Sequence, residues 1–261
     1  MRFNAIVLAG DRGLADPVAA AAGVPAKCLT PIGGSPMVVR VVCALEQSGR
    51  VDTVVLCGPT DEALQLSPAL RRLVSEGRIR WMPPQATPAK SAAAALAALP
   101  LDQPALLTTG DHALLRPDMV RHFLDRATAL GGDVAVALAP YELVQRAHPR
   151  TRRTVLKFSD GHYCGCNLFA FLSPRGRTMA RLWQQVEAHR KKPIRVVGLV
   201  GWSAVALYAL RLLSLAGALR RLSRLADVQA GVVTMPFAEA AIDVDTVADL
   251  ELVRAIVART A

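Results

Sequence analysis

Apolar positions along the chain fall in short, nearly unbroken runs separated by longer stretches of helical periodicity. Residues 5–9 end at Gly10, residues 51–57 end at Gly58-Pro59, residues 105–109 run into Gly110-Asp111, and residues 133–139 follow Gly131-Gly132. Continuous apolar runs of this length, closed by glycine, predict strands buried on both faces, as in a parallel sheet. The intervening segments 36–45, 61–76, 90–99 and 118–130 predict helices, the third being almost pure alanine and leucine. A short strand over 78–82 is stopped by Pro83-Pro84. This βαβ spacing predicts a Rossmann-like, three-layer α/β/α fold with a mostly parallel sheet.

Past residue 140 the pattern changes. Arg146, Arg150, Arg152, Arg153 and Lys157 fall on a predicted loop and the strand after it, and a hairpin turn at Asp160-Gly161 leads into a strand over 163–171. Residues 178–226 are predicted helical. The stretch 203–219 is strongly apolar, but Arg211 interrupts it and Arg220, Arg221 and Arg224 follow. It is short for a membrane span, which leaves a peripheral membrane contact, a homodimer face and a helix packed on the sheet all open. A last strand over 231–236 precedes a terminal helix, for which Thr246 is the predicted N-cap with Asp249 at the third helical position.

Composition adds limits. With 261 residues and 52% hydrophobic content the chain is expected to form one domain with an ample core. The net charge of +10 suits an anionic partner, but aromatics are only 5%, so a stacking platform for single strands is not expected and no nucleic-acid partner is predicted. Five cysteines, an odd number without Cys-x-x-Cys, suggest reduced buried thiols and a cytoplasmic setting; Cys164-Gly-Cys166 lacks the second pair that a metal site needs. The N-terminal apolar run is too short for an export signal.

Two stretches carry chemistry. Gly10 and Gly13 at the end of the first strand let backbone N–H groups approach an anion, with Arg12 and Lys27 as charge partners. An ordinary strand-to-helix turn remains the plainer alternative, since neither G-x-G-x-x-G nor a P-loop pattern is present. Asp111 lies at the C-terminal end of a predicted central strand, where α/β sheets bind ligands.

Leu8-Ala-Gly-Asp-Arg-Gly13, Pro25-Ala-Lys27 and Leu29-Thr-Pro-Ile-Gly-Gly-Ser-Pro-Met37, together with Gly110-Asp111 and Asp243-Val-Asp-Thr-Val-Ala-Asp-Leu250, resemble the nucleotidyltransferases of GT-A-like fold. That group includes the molybdenum cofactor guanylyltransferases and the sugar- and alcohol-phosphate cytidylyltransferases. Against the family form, Asp11 replaces a glycine and Ala26 separates proline from lysine. The resemblance implies a GT-A-type fold with an acceptor-side hairpin and a helical C-terminal region. Residues 1–140 would bind nucleotide and residues 141–261 the acceptor.

It also implies roles. Leu8, Ala9, Gly10, Asp11 and Gly13 would cradle the nucleotide phosphates, Lys27 and Arg12 would act catalytically, and Lys90 and Ser91 would lie beside the nucleobase. Asp111 and Asp243 would hold Mg²⁺, with Asp245 in reserve, and Arg152, Arg153, Lys157, Gly165 and Asn167 would face a phosphorylated acceptor. The implied reaction moves NMP from an NTP, CTP being favoured, to a phosphorylated small molecule with release of pyrophosphate, in lipid or envelope precursor synthesis. Alternatives are a molybdenum cofactor guanylyl- or cytidylyltransferase, and a non-catalytic nucleotide-binding or membrane-associated protein of the same fold.

Overall fold

The computed structural model describes residues 1–10, 15–189 and 201–260. The buried runs become β1 (Phe3–Leu8), β4 (Val51–Cys57), β6 (Ala105–Thr109) and β7 (Val134–Pro140), joined in one sheet by β5 (Arg80–Met82), β8 (Val155–Phe158), β9 (Gly161–Phe171) and β10 (Ala230–Thr234). A small hairpin of β2 (Pro31–Ile32) and β3 (Ser35–Pro36) lies apart. The sheet order is β10-β7-β9-β6-β1-β4-β5, with β8 on the outer part of β9. β9 runs antiparallel to β6, β7 and β8, and the remaining pairings are parallel. This is the expected mostly parallel three-layer α/β/α fold.

Alternation along each strand feeds two cores. Ala5, Val7, Leu56, Leu106 and Ala135 point to the side of α2 (Met37–Gln47) and α6 (Pro117–Leu130). Ile6, Val55, Leu107 and Val134 point to the side of α5 (Pro88–Ala97) and α8 (Met179–His189). A third cluster joins Ile32, Met37, Ala113 and Leu114 to Ile242, Val244, Leu250 and Val253, so the chain after residue 241 is pinned under the end of β6.

Several local expectations change. The segment 61–76 is two helices, α3 (Asp61–Gln65) and α4 (Pro68–Ser75), because Ser67 caps the second and Pro68 cannot continue the first. Two short helices were not anticipated. α1 (Pro17–Ala22) is capped by Asp16, whose carboxylate accepts from the Val18 and Ala19 amides. α7 (Tyr141–Ala147) takes Arg146 out of the predicted loop. The apolar stretch 203–219 is not one helix either: a helix over Trp202–Ala209 and another over Leu215–Ala226 are separated where Arg211 adopts a positive φ of 58°. Among the described residues no helix is long and apolar enough to cross a membrane. Among the described residues no cysteine forms a disulfide, and four of the five are buried.

The loop that leaves β1 is held by close backbone packing. A Cβ at Gly58 would meet the Gly10 nitrogen at 2.7 Å and the Ala9 carbonyl carbon at 2.8 Å. Only a hydrogen fits where the end of β4 crosses the start of the glycine loop.

Candidate active site

Three chain segments converge at the C-terminal ends of β1 and β6. A 3₁₀ turn over Lys27–Leu29 presents Lys27. Gly110, whose amide donates to the Leu8 carbonyl at 2.8 Å, brings Asp111 alongside β1. The Val244 amide donates to the Asp111 carbonyl at 3.2 Å, which fixes residues 243 and 245 above the same point.

Lys27 Nζ sits 2.6 Å from Asp111 Oδ2 and 3.2 Å from Asp245 Oδ1. Burial works against its charge, but the carboxylates of Asp111 and Asp245 outweigh that cost and hold the ammonium above the ordinary lysine range. Lys27 is therefore a fixed cation at neutral pH.

Asp243 belongs to a second set of contacts. Its carboxylate accepts from Arg153 and, at 2.8 Å, from Asn167 Nδ2. Burial, followed by the charges of Asp111 and Asp245, pushes its pKa up, while Arg153 opposes the shift. Asn167 reaches it because β9 bulges: Val136 pairs with Phe169 but Leu138 pairs with Gly165, and Asn167 in between takes a φ of 48°. Asparagine tolerates that left-handed conformation better than most side chains.

Arg153 also pairs with Asp249, whose other oxygen accepts from the Thr246 amide and hydroxyl, while Thr246 Oγ1 accepts from the Asp249 amide. This is the predicted capping box, and it starts the last helix, Val247–Thr260. With its side chain 7% exposed and its guanidinium turned to Asp243, Asp249 and Thr151, Arg153 organises the site from below. Arg152, in contrast, is exposed at the cleft and has no ion-pair partner among the described residues.

Two cavities meet here. One, of about 300 Å³, has an apolar lining that includes Leu8, Ala9, Leu107, Phe169 and Trp183, with Gly10, Lys27, Asp111 and Asn167 at its polar end. Phe169 and Trp183 stack with ring centroids 6.5 Å apart. The other, of about 360 Å³, is walled by Arg152, Arg153, Gly165, Asn167, Asp243 and Asp245. Asn167 lines both.

The structure thus gathers Leu8, Ala9, Gly10, Lys27, Asp111, Arg152, Arg153, Gly165, Asn167 and Asp243. Asp11, Arg12 and Gly13 lie outside the described residues. Lys157 is exposed and does not line the second cavity; its amide donates to the Tyr208 hydroxyl. Lys90 is exposed at the start of α5 and does not line the first cavity, although Pro88 does. Ser91 is buried, and its hydroxyl accepts from the Gln85 amide at 2.9 Å, clasping the loop before α5. The stacked pair Phe169 and Trp183 is not among the residues that the sequence singles out, because it joins β9 to α8.

The donor set suits a hard cation. Asp111 Oδ1 is buried with no hydrogen-bond partner among the described residues, and the Asp111 charge is among those that push the Asp243 pKa up. Among those residues no group of three or more His, Cys, Asp or Glu side chains is arranged to hold a metal. Two carboxylates match an ion such as Mg²⁺ that completes its shell with phosphate oxygens and water.

The site sets carboxylates around a fixed cation at the ends of β1 and β6, within a fold shared by nucleotidyltransferases. The chain belongs to the MobA-like NTP transferase family, whose domain matches residues 5–233. It is similar to a hypothetical transferase from Thermus thermophilus, with 30% identity over 96% of this chain and 100% of that one and a TM-score of 0.79. Its fold is shared by a CMP:2-keto-3-deoxy-manno-octonic acid synthetase complexed with CTP, at 15% identity, TM-score 0.61 and full coverage of both chains. A 4-diphosphocytidyl-2C-methyl-D-erythritol synthase from Anaerococcus prevotii shares it too, at 13% identity, TM-score 0.58 and 99% coverage of each chain. No curated protein matches this chain.

Proposed function

We propose that the protein transfers a nucleoside monophosphate from an NTP, with CTP favoured, to a phosphorylated small molecule and releases pyrophosphate. The observation that carries this reading is the Lys27 ammonium held between Asp111 and Asp245 where the apolar and polar cavities meet. The nucleobase and ribose occupy the cavity floored by Phe169 and Trp183, and the acceptor phosphate enters the other beside Arg152. CTP is favoured because two proteins that share the fold are a synthetase complexed with CTP and a diphosphocytidyl synthase.

An acceptor phosphate oxygen attacks the α-phosphorus in line. A new O–P bond forms as the bond to the β-phosphate oxygen breaks, and the electron pair leaves with pyrophosphate. Lys27 stabilises the charge that develops on the phosphates, and Arg152 orients the nucleophile. The acceptor phosphate is anionic at neutral pH, so no general base is needed. Asp111 and Asp243 would hold Mg²⁺, which would supply charge neutralisation at the phosphates. Asn167 and Arg153 keep the Asp243 carboxylate aimed.

The test is pyrophosphate release with each of the four common NTPs, with and without Mg²⁺, against a panel of sugar and alcohol phosphates. Release with CTP and one acceptor class is expected. Binding of an NTP without release from any acceptor would leave a nucleotide-binding protein of the same fold. GTP preference, with release only when molybdopterin is supplied, would favour the molybdenum cofactor reading that the family relationship keeps in view.

A further inference from the structure

The helix Leu215–Ala226 is amphipathic, yet none of its residues is buried. Its apolar face stands over a groove of about 320 Å³ walled by Val136, Leu138, Leu156, Phe158, Leu219 and Leu222, with Arg221 as the charged residue of the lining. Val136, Leu156 and Phe158 are only partly covered, so both sides of the groove leave apolar surface exposed to water. Its volume lies in the range of small-ligand pockets, about 300 to 1,000 Å³.

The groove adjoins the acceptor cavity. Thr154, Leu156 and Phe158 alternate onto one face of the strand β8 and the residue before it. Thr154 lines the polar cavity, Leu156 lines both, and Phe158 lines the apolar groove alone. β8 therefore leads from a polar compartment at Arg152 to an apolar one within three residues. Gly165, which lines the polar cavity, pairs across the strands with Leu138, which lines the apolar groove.

Resting on the acceptor reading above, we infer that the acceptor is an amphiphile: its phosphate binds at Arg152 and its apolar chain passes Leu156 into the groove beneath the helix Leu215–Ala226. A small polar phosphate would fill one compartment and leave the other wet. An alkyl or prenyl phosphate fills both, with head and tail in the order that β8 presents.

The probes are n-butyl, n-octyl and n-dodecyl phosphate, each below its micelle concentration, titrated calorimetrically into the full chain and into Leu222→Asp and Leu156→Ser. Each methylene that leaves water tightens binding roughly fourfold when fully buried. Octyl phosphate is expected to bind at least tenfold tighter than butyl phosphate. Leu222→Asp and Leu156→Ser should each erase most of that gain, with butyl phosphate unchanged in Leu222→Asp, whereas Arg152→Ala should weaken all three probes alike. Equal affinity for butyl and octyl phosphate, or a chain-length gain that survives both groove substitutions, overturns the inference. So does sedimentation showing that the groove is closed by a second copy of the chain. Turnover with short polar phosphates but no chain-length effect would defeat the amphiphile and leave the transferase reading intact. A chain-length effect without pyrophosphate release from any acceptor would do the reverse.

Discussion

Asn167 Nδ2 donates to Asp243 Oδ2 across 2.8 Å, and in doing so connects the bulge of β9 to the segment after residue 241. The bond sits on the wall shared by the two cavities, so the residue that lines both also aims a carboxylate. Asn167→Ala is expected to lower kcat about tenfold or more with little change in Tm. Rescue by Asn167→Asp is not expected, since a fourth carboxylate beside Asp111, Asp243 and Asp245 would repel them. Equal activity of the Ala and Asp variants would remove the bond from any role in catalysis.

Asp111→Asn keeps the shape of the side chain and removes its charge. Lys27 would lose its nearest carboxylate and the proposed Mg²⁺ site one of its two, and kcat is expected to fall by about 10²-fold to 10³-fold, the magnitude typical of losing one preorganised electrostatic contact. Calorimetric titration with Mg²⁺ and a non-hydrolysable CTP analogue should show the metal dependence of binding lost, with the circular dichroism spectrum unchanged. Wild-type metal dependence in this variant would place the ion elsewhere.

Arg153 and Arg152 are neighbours with opposite expected phenotypes. Arg153→Ala leaves Asp243 and Asp249 without their buried counter-charge, and unpaired buried charges of this kind cost about 3–5 kcal/mol. Its Tm should drop sharply, and a double-mutant cycle with Asp249→Ala should show strong non-additivity. Arg152→Ala should leave Tm within error and raise the acceptor KM several-fold at unchanged NTP KM. Equal Tm values for the two variants would refute the division of labour.

His112 is buried beside Asp111; its ring nitrogens have no hydrogen-bond partner among the described residues, and burial holds its pKa down to about 4. In the unfolded chain the imidazole takes a proton near pH 6.5. Between pH 6.5 and 4 the unfolded state therefore binds more protons, and folding stability falls as pH is lowered through that window. Metal-free protein is expected to lose on the order of 1 to 3 kcal/mol there, and His112→Leu should flatten that part of a denaturation profile. An unchanged slope in the variant would assign the acid sensitivity to other groups.

Much of this was legible in residue order. Apolar runs closed by glycine gave the parallel strands because a strand covered on both faces has no polar positions to reveal its period. The capping box was visible because Thr246 and Asp249 act within one turn. What stayed hidden depends on contacts distant in sequence. Nothing near Arg153 distinguishes it from Arg152 until residues 243 and 249 fold back onto it. Lys157 looked equivalent to both, and its place on β8 keeps it out of the acceptor cavity. The break at residues 210–214 could not be read from an apolar stretch whose composition favours one continuous helix. The Phe169 and Trp183 pair is a meeting of β9 with α8, which no local pattern specifies.

The segment bearing Asp243 and Asp245 also has a consequence for biogenesis. It lies beyond the last sheet strand, yet its Val244 amide bonds the Asp111 carbonyl and its acidic side chains complete the charge pattern around Lys27. During synthesis every strand of the sheet leaves the ribosome before these residues do. A nascent chain can therefore hold Lys27 and Asp111 while still lacking Asp243 and Asp245, so the charge pattern around Lys27 closes only after every strand of the sheet is available.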